Sequence, residues 1–172
     1  MNRVTAMRLL RNFLLLLTII VNIGCDQITK NMVRKHISYY EHITVVRHHV
    51  TLTKVENTGA FLSLGHEWPS PLREILLVGL PILALICGLA VILYKQGLSP
   101  LFRVGASCVI GGSLGNIIDR TVRGSVTDFL HVQLGIFQTG IFNLADVSIM
   151  AGTFWGMISF YLDRKTSPKL RT

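Results

Sequence analysis

The chain has 172 residues, of which 50% are hydrophobic and only 15% are charged, and its formal net charge is +8. Soluble domains carry about 25% charged residues, and disordered chains are richer still in charge, so the composition fits neither class. It indicates one small integral membrane domain that covers residues 1–172.

Four apolar runs predict membrane-spanning helices, since a helix needs about 20 apolar residues to cross the bilayer core. They cover about residues 9–28, 75–94, 104–118 and 142–162. The third run reaches only about 22 Å at 1.5 Å per residue, which is short for a span. The first run also fits a cleaved secretory signal peptide, because it follows a basic start. Asn22 stands where a lipoprotein cleavage box has Leu, Val or Ile, which favours a retained helix.

Lysine and arginine are unevenly distributed between the polar segments. Three segments are rich in them, with 9 in 30 positions: 1–11, 95–103 and 163–172. Two are poor, with 8 in 75 positions: 25–74 and 119–143. By the positive-inside rule both termini are cytoplasmic, and the segments at about 29–74 and 119–141 are extracytoplasmic. Bases beside apolar runs indicate contact with lipid headgroups, so no nucleic-acid partner is expected.

The first extracytoplasmic segment has a secondary structure of its own. Asn31–Tyr40 mixes charged and apolar residues, which predicts a short interfacial helix. Ile43–Val55 is rich in Val, Ile and Thr, which predicts one or two strands. Asn57–Phe61 contains a glycine at its centre and is interpreted as a turn. This segment is therefore more than a simple connection between two spans.

Asp146 closes the sequence Phe142–Asp146 and directly precedes an uncharged run of 16 residues. A helix that begins near Phe142 would place this carboxylate about one turn below the outer interface. Ionisable groups at membrane depth are costly and are candidates for function. A carboxylate at a helix N-terminus also stabilises the helix dipole by about 0.3–1 kcal/mol. Both interpretations of Asp146 stay open at this point.

Asp128 lies in Ser125–Leu130, which is too apolar for an ordinary exposed loop and too short to span a membrane. A chain that enters the outer leaflet and leaves again would bring Asp128 to the depth of Asp146. Two carboxylates at one site share a proton, and one of them can then take a proton from water. On spacing alone, two unrelated aspartates fit equally well.

The end of the third apolar run carries further polar candidates. Asn116 and Arg120 are four residues apart, so they should face one side of a helix. Gly111–Gly115 formally matches the serine motif GxSxG, but that motif requires a turn from strand to helix. A Ser113–His131 dyad remains an alternative, because His131 is close to the predicted membrane surface.

Five of these segments together resemble the lipoprotein signal peptidase family, of the signal peptidase II type. In family order they are Asp26–Lys30, Asn57–Phe61, Gly111–Arg120, Val126–Phe129 and Phe142–Asp146. The resemblance covers the chain from about residue 8 to residue 162. Each motif alone is weak evidence for the family. All five occur in family order, together with four predicted spans, and this combination is specific. Phe61 follows one alanine where many members have two, and Ser113 fills a place that resembles glycine or alanine.

The resemblance implies a bacterial inner-membrane aspartic endopeptidase with its active site near the outer leaflet. Its substrate would be a prolipoprotein whose cysteine carries diacylglycerol, and cleavage would fall on the amino side of that cysteine. Asp128 and Asp146 match the catalytic dyad, and Asp26 matches a supporting polar residue. The residues that match the substrate site are Asn57, Gly59, Asn116, Arg120 and Asn143. No metal and no cofactor are expected.

The same resemblance implies a small extracytoplasmic β-cradle beside the interfacial helix, in a monomer surrounded by membrane lipid. Other classes also explain aspartates in a membrane domain. A proton-coupled carrier would show flux without peptide cleavage, and a lipid-binding or assembly subunit would tolerate changes at both aspartates. A serine intramembrane protease would depend on Ser113.

Overall fold

The computed structural model describes residues 2–39, 41–47, 49–59 and 68–166. Its helices are α1 (Arg3–His36), α2 (Ser70–Glu74), α3 (Leu80–Tyr94), α4 (Pro100–Arg123) and α5 (Leu144–Thr166), and a π-helical segment (Ile75–Gly79) joins α2 to α3. Its strands are β1 (Ile43–Val46), β2 (Val50–Asn57), β3 (Val126–Leu134) and β4 (Phe137–Gln138). They form an antiparallel sheet in the order β1-β2-β3-β4. The prediction of strands within residues 43–55 is therefore confirmed.

Three helices in the described part of the chain are long and apolar enough to cross a membrane. They are Arg3–His36, Pro71–Tyr94 and Pro100–Arg123. The last of the four predicted spans corresponds to α5, which has 23 residues and carries Asp146 in its first turn. It is not among the three, so a fourth span stays a prediction.

The first helix is longer than predicted, and it absorbs most of the predicted interfacial helix. Residues 31–36 are the last residues of α1, so a separate helix over residues 31–40 is wrong for this part, and Tyr40 lies outside the described residues. The helix continues because Val33 and Ile37 bury their side chains against Phe129 of β3. These packing contacts stabilise two further helical turns beyond the end of the apolar run.

The α4 helix also exceeds its predicted span of residues 104–118, and its last five residues fall in what was predicted to be an extracytoplasmic loop. Ser99 caps its beginning by accepting a hydrogen bond from the Phe102 N–H, and Pro100 occupies the first turn. Gly124 ends the helix in the left-handed conformation, with φ 77°, and its N–H donates to the Arg120 carbonyl. The helix boundaries are therefore set by these caps.

Glycines let α4 approach α1 on one side and α5 on the other. A Cβ atom added at Gly115 would lie 2.5 Å from an Asp26 carboxylate oxygen of α1. A Cβ atom added at Gly112 would lie 2.5 Å from the Ala145 carbonyl oxygen of α5. Small residues at helix interfaces allow this close contact in membranes. The approach brings the first turn of α5 next to the middle of α4, where the polar residues described below meet.

Gly152 and Gly156, one turn apart on α5, provide a matched test of this packing. At Gly152 an added Cβ would collide with the Gly105 carbonyl and lie 2.9 Å from the Val109 nitrogen, whereas at Gly156 nothing lies within 4 Å. We expect Gly152→Ala to destabilise the fold by about 1–3 kcal/mol, because the opposing backbone cannot withdraw. Thermal unfolding in detergent should show a clear loss for Gly152→Ala and almost none for Gly156→Ala. Equal losses would contradict the packing described here.

Candidate active site

A cavity of about 640 Å³ lies between α4, α5, the end of β2, the start of β3 and the chain that leads into α5. Its polar lining comes from Asn57, Ser113, Asn116, Arg120, Asp128, Gln138, Thr139, Asn143 and Asp146. Apolar side chains, among them Leu77, Ile149 and Met150, form another part of its wall. Six of the eight site residues predicted from the sequence therefore line one cavity. Of the other two, Gly59 bonds to Asn57 and Arg120, whereas Asp26 accepts a hydrogen bond from the Ala145 N–H, next to Asp146 in the chain.

Strand β3 places Asp128 in the cavity. Side chains alternate along a strand, so Val126 and Asp128 point into the cavity, while Thr127 and Phe129 point toward α1. The Asp128 side chain is buried and accepts two hydrogen bonds from asparagine amides. Its Oδ1 accepts from Asn143 Nδ2 at 2.7 Å, and its Oδ2 accepts from Asn57 Nδ2 at 3.1 Å. The stretch interpreted as a chain dipping into the leaflet is thus a strand of the sheet.

Asp146 lies in the first turn of α5, which begins at Leu144, two residues after Phe142. Its Oδ2 accepts from the Asn143 backbone N–H at 3.1 Å, and its own N–H donates to Asn143 Oδ1 at 3.0 Å. This reciprocal pair is a capping box. The other carboxylate oxygen, Asp146 Oδ1, accepts a hydrogen bond from Asn116 Nδ2 at 2.9 Å. The residue therefore caps a helix and also lines the cavity.

Asn143 links the two carboxylates. Its side chain is completely buried, and its Nδ2 donates to Asp128 Oδ1 and, at 3.1 Å, to Asn116 Oδ1. Its backbone N–H bonds to Asp146. The preceding residue, Phe142, is held against β3 by backbone bonds with Leu130. A single asparagine therefore brings together the two aspartates that the sequence separates by 18 positions.

Arg120 and Gly59 form the rim of the cavity next to β2. Arg120 Nη2 donates to the Gly59 carbonyl at 2.9 Å, and the Gly59 N–H donates to Asn57 Oδ1 at 3.0 Å. The Nε of Arg120 is buried and has no hydrogen-bond partner in the described part of the chain. Asn116 and Arg120 both line the cavity, which confirms that they share one helix face. Phe61, where the motif departs from the family pattern, lies outside the described residues.

A buried charge cluster lies directly behind the cavity. Asp26 accepts from the Ala145 N–H at 3.0 Å and pairs with Lys30 at 2.8 Å, and both side chains are fully buried. Lys30 also pairs with Asp119 at 3.1 Å, and Asp119 pairs with Arg34 at 2.7 Å. Of these four residues, only Asp26 is predicted from the sequence to belong to the site. The i,i+4 spacing of Asp26 and Lys30 on an apolar helix was the signal that could have identified Lys30.

The surroundings of Asp128 make it an unusual acid. Burial raises the pKa of Asp128 from 3.8 to about 6. The amide hydrogen bonds from Asn57 and Asn143 oppose this increase, and the nearby charge of Asp146 adds to it. A carboxyl group with this pKa exchanges its proton close to neutral pH, as general acid–base chemistry requires.

The raised pKa of Asp128 also predicts a pH dependence of stability. The folded protein binds this proton more tightly than the unfolded chain, so the stabilisation is complete below about pH 4 and is lost as the pH rises through about 6. Two pH units correspond to about 3 kcal/mol. We expect the thermal midpoint of the wild type to fall between pH 4 and pH 6 more steeply than that of Asp128→Asn. Parallel curves would contradict the assignment of this titration to Asp128.

The serine alternative receives less support from the geometry. Ser113 lines the cavity, but His131 is not among the described residues that line it. No group of three or more His, Cys, Asp or Glu residues suited to a metal ion occurs in the described ranges.

Comparison with known proteins gives a consistent result. The family model described as signal peptidase (SPase) II matches residues 18–162. A lipoprotein signal peptidase of Treponema denticola is 41% identical over 140 residues, which cover 78% of this chain and 80% of the relative. The lipoprotein signal peptidase of Aquifex aeolicus is 32% identical over 146 residues, or 85% and 83% of the two chains.

Structural comparison points the same way. A solved structure of a bacterial membrane enzyme, determined by the in meso method, superposes with a TM-score of 0.77 at 25% identity, over 92% of each chain. Together with the three apolar helices, this identifies a multi-pass membrane protein. The extent of the family match and the identity to two relatives show that the chain belongs to the signal peptidase II family of peptidases.

Proposed function

We propose that this protein removes the signal peptide from bacterial prolipoproteins as an aspartic endopeptidase. It would cleave on the amino side of a cysteine that carries diacylglycerol. The observation that carries the proposal is the joint placement of Asp128 and Asp146 on one cavity, where Asn143 bonds to both. Membership of the signal peptidase II family supports the same chemistry.

The proposed mechanism uses water activated by a carboxylate pair that shares one proton. One carboxylate takes a proton from water as the oxygen attacks the scissile carbonyl carbon, while the protonated partner donates a hydrogen bond to the carbonyl oxygen. Collapse of the tetrahedral intermediate breaks the C–N bond, and the leaving amine takes up the proton that the base removed from water, which restores the pair with one shared proton. The raised pKa of Asp128 suits it to hold the shared proton. The Asp146 carboxylate accepts two hydrogen bonds, from the Asn143 backbone N–H and from Asn116 Nδ2, and in this mechanism it acts as the base.

The apolar wall of the cavity supports a substrate that combines a hydrophobic peptide with a lipid. We place the site near the outer leaflet of the bacterial inner membrane, in a single domain of four spans with both termini in the cytoplasm. The distribution of lysine and arginine supports this orientation. In this arrangement α5 is the fourth span, the sheet is the extracytoplasmic cradle, and the protein acts as a monomer in contact with membrane lipid.

A gel-shift assay on a diacylglyceryl-modified prolipoprotein in detergent separates the proposal from its alternatives. We expect Ser113→Ala to keep kcat within about threefold of wild type, and a metal chelator to leave cleavage unchanged, because the carboxylates activate water themselves. Inactivation by Ser113→Ala or by a serine-directed reagent would identify a serine protease. Proton flux without cleavage by the folded wild type would favour a carrier.

A further inference from the structure

Lys30 makes one hydrogen bond, to Asn116, that is not needed to neutralise its charge. Its ammonium group, which is fully buried, pairs with Asp26 at 2.8 Å and with Asp119 at 3.1 Å. Asp119 already has a cationic partner in Arg34 at 2.7 Å. The two positive and two negative groups therefore balance without any further partner. The Lys30 Nζ nevertheless also donates to Asn116 Oδ1, at 2.8 Å.

This contact determines which way the Asn116 amide points. An ammonium group has three donors and no acceptor, so it accepts only the oxygen end of a carboxamide as its neighbour. Asn143 Nδ2 donates to the same oxygen at 3.1 Å. With Oδ1 held from two sides, Asn116 must direct Nδ2 toward Asp146 Oδ1, at 2.9 Å. The reversed amide would set nitrogen against nitrogen at Lys30 and oxygen against oxygen at Asp146.

The charged groups of the buried cluster, and those that face Asp146 in the cavity, come from three elements. They are Asp26, Lys30 and Arg34 on α1, Asp119 and Arg120 on α4, and Asp128 on β3. Lys30 reaches the oxygen of the amide that donates to Asp146, which couples the cluster to the cavity by two successive hydrogen bonds.

We propose that Lys30 is a positioning residue, which acts through Asn116 to hold an N–H donor on Asp146 and so keeps this carboxylate oriented as an acceptor. The inference rests on the proposed function, because it assigns Asp146 a place in that reaction. Side chains that orient metal ligands from behind typically contribute 10- to 100-fold, and we expect an effect of similar size on this carboxylate. The loss should appear in kcat and not in KM, because Lys30 itself does not line the cavity.

The test uses two variants that each remove one buried ion pair and keep the cluster neutral. Lys30→Met with Asp26→Asn removes the donor to Asn116 and retains the pair between Asp119 and Arg34. Arg34→Met with Asp119→Asn removes the other pair and retains the Lys30 donor. We expect kcat to fall about 10- to 100-fold in the first variant, with KM within about threefold, and to stay within about threefold of wild type in the second.

A double-mutant cycle with Asn116→Ala then shows whether Lys30 acts through Asn116. In the Asn116→Ala background, the first variant should lower kcat by no more than about twofold, because the shared interaction is already lost. Wild-type kcat in the folded first variant, equal losses in both variants, or full additivity with Asn116→Ala would each overturn the inference. If the wild type itself cleaves no prolipoprotein, the proposed function fails first.

Neutron diffraction on the deuterium-exchanged wild type provides a measurement that needs no variant to fold. The proposed arrangement has three deuterons on Lys30 Nζ, with one directed at Asn116 Oδ1, and an Asn116 Nδ2 deuteron directed at Asp146. An amide nitrogen facing Lys30, or a neutral Lys30 amine, would overturn the inference whatever the outcome of the kinetic experiment.

Discussion

Replacing either Asp128 or Asp146 with Asn should lower kcat on the order of 10⁴-fold, as loss of an essential member does in other catalytic sets that act as a unit. An amide side chain neither takes a proton from water nor shares one with the remaining carboxylate. Both aspartates accept hydrogen bonds from asparagine amides. After the substitution, the new NH₂ group would face one of these N–H donors in place of an acceptor oxygen. Gel-shift assays on lipidated substrate measure the loss.

Asp163→Asn is the matched control for both variants, since Asp163 lies near the far end of α5 and accepts a bond from Ser159 within the same helix. It should keep wild-type kcat. If Asp128→Asn and Asp146→Asn each retain near-normal turnover while folded and inserted, the carboxylate mechanism is wrong. Loss in only one of them would assign the chemistry to a single aspartate and not to a pair.

Asn143 should be the most sensitive position that does not itself exchange a proton with substrate. Removing one donor that stabilises a reacting group costs about 10²–10³ in kcat, and removing a helix N-cap costs about 1 kcal/mol of stability. Asn143→Ala loses both interactions, because the side chain bonds to Asp128 and also caps α5. We therefore expect lower kcat together with a lower thermal midpoint.

Asn143→Ser separates the two effects. A serine hydroxyl caps a helix well but is too short to replace the amide donor to Asp128. This variant should recover most of the stability lost in Asn143→Ala while its kcat stays low. A serine variant with wild-type kcat would show that the amide donor does not support the reaction.

The sequence predicted most of the helices because an apolar run of about 20 residues is typical of a membrane-spanning helix. It misplaced the C-terminal ends of α1 and α4 because charged residues there were interpreted as leaving the membrane. In the structure Lys30, Asp119 and Arg34 instead satisfy one another between the two helices. Such pairing depends on residues far apart in the chain, which composition and periodicity do not reveal.

The sequence predicted most residues of the site but not the hydrogen bonds that join them. Family resemblance joined Asp128 to Asp146, whereas their spacing alone left two unrelated aspartates equally acceptable. The role of Asn143 as a shared partner depends on the backbone pairing of Phe142 with Leu130, a contact between a loop and a strand. Lys30 was not predicted as a site residue because its partner Asn116 lies on another helix, 86 positions away in the chain.

The most direct test of the proposed function is the mass of the products released from a single prolipoprotein. Wild-type enzyme in detergent should be given the substrate with and without diacylglycerol on its cysteine, and both reactions should be analysed by mass spectrometry. We predict cleavage of the lipidated form only, at the peptide bond that precedes the modified cysteine, which leaves that cysteine with a free amino group. No cleavage by the folded enzyme, or cleavage at another bond, would contradict the proposal.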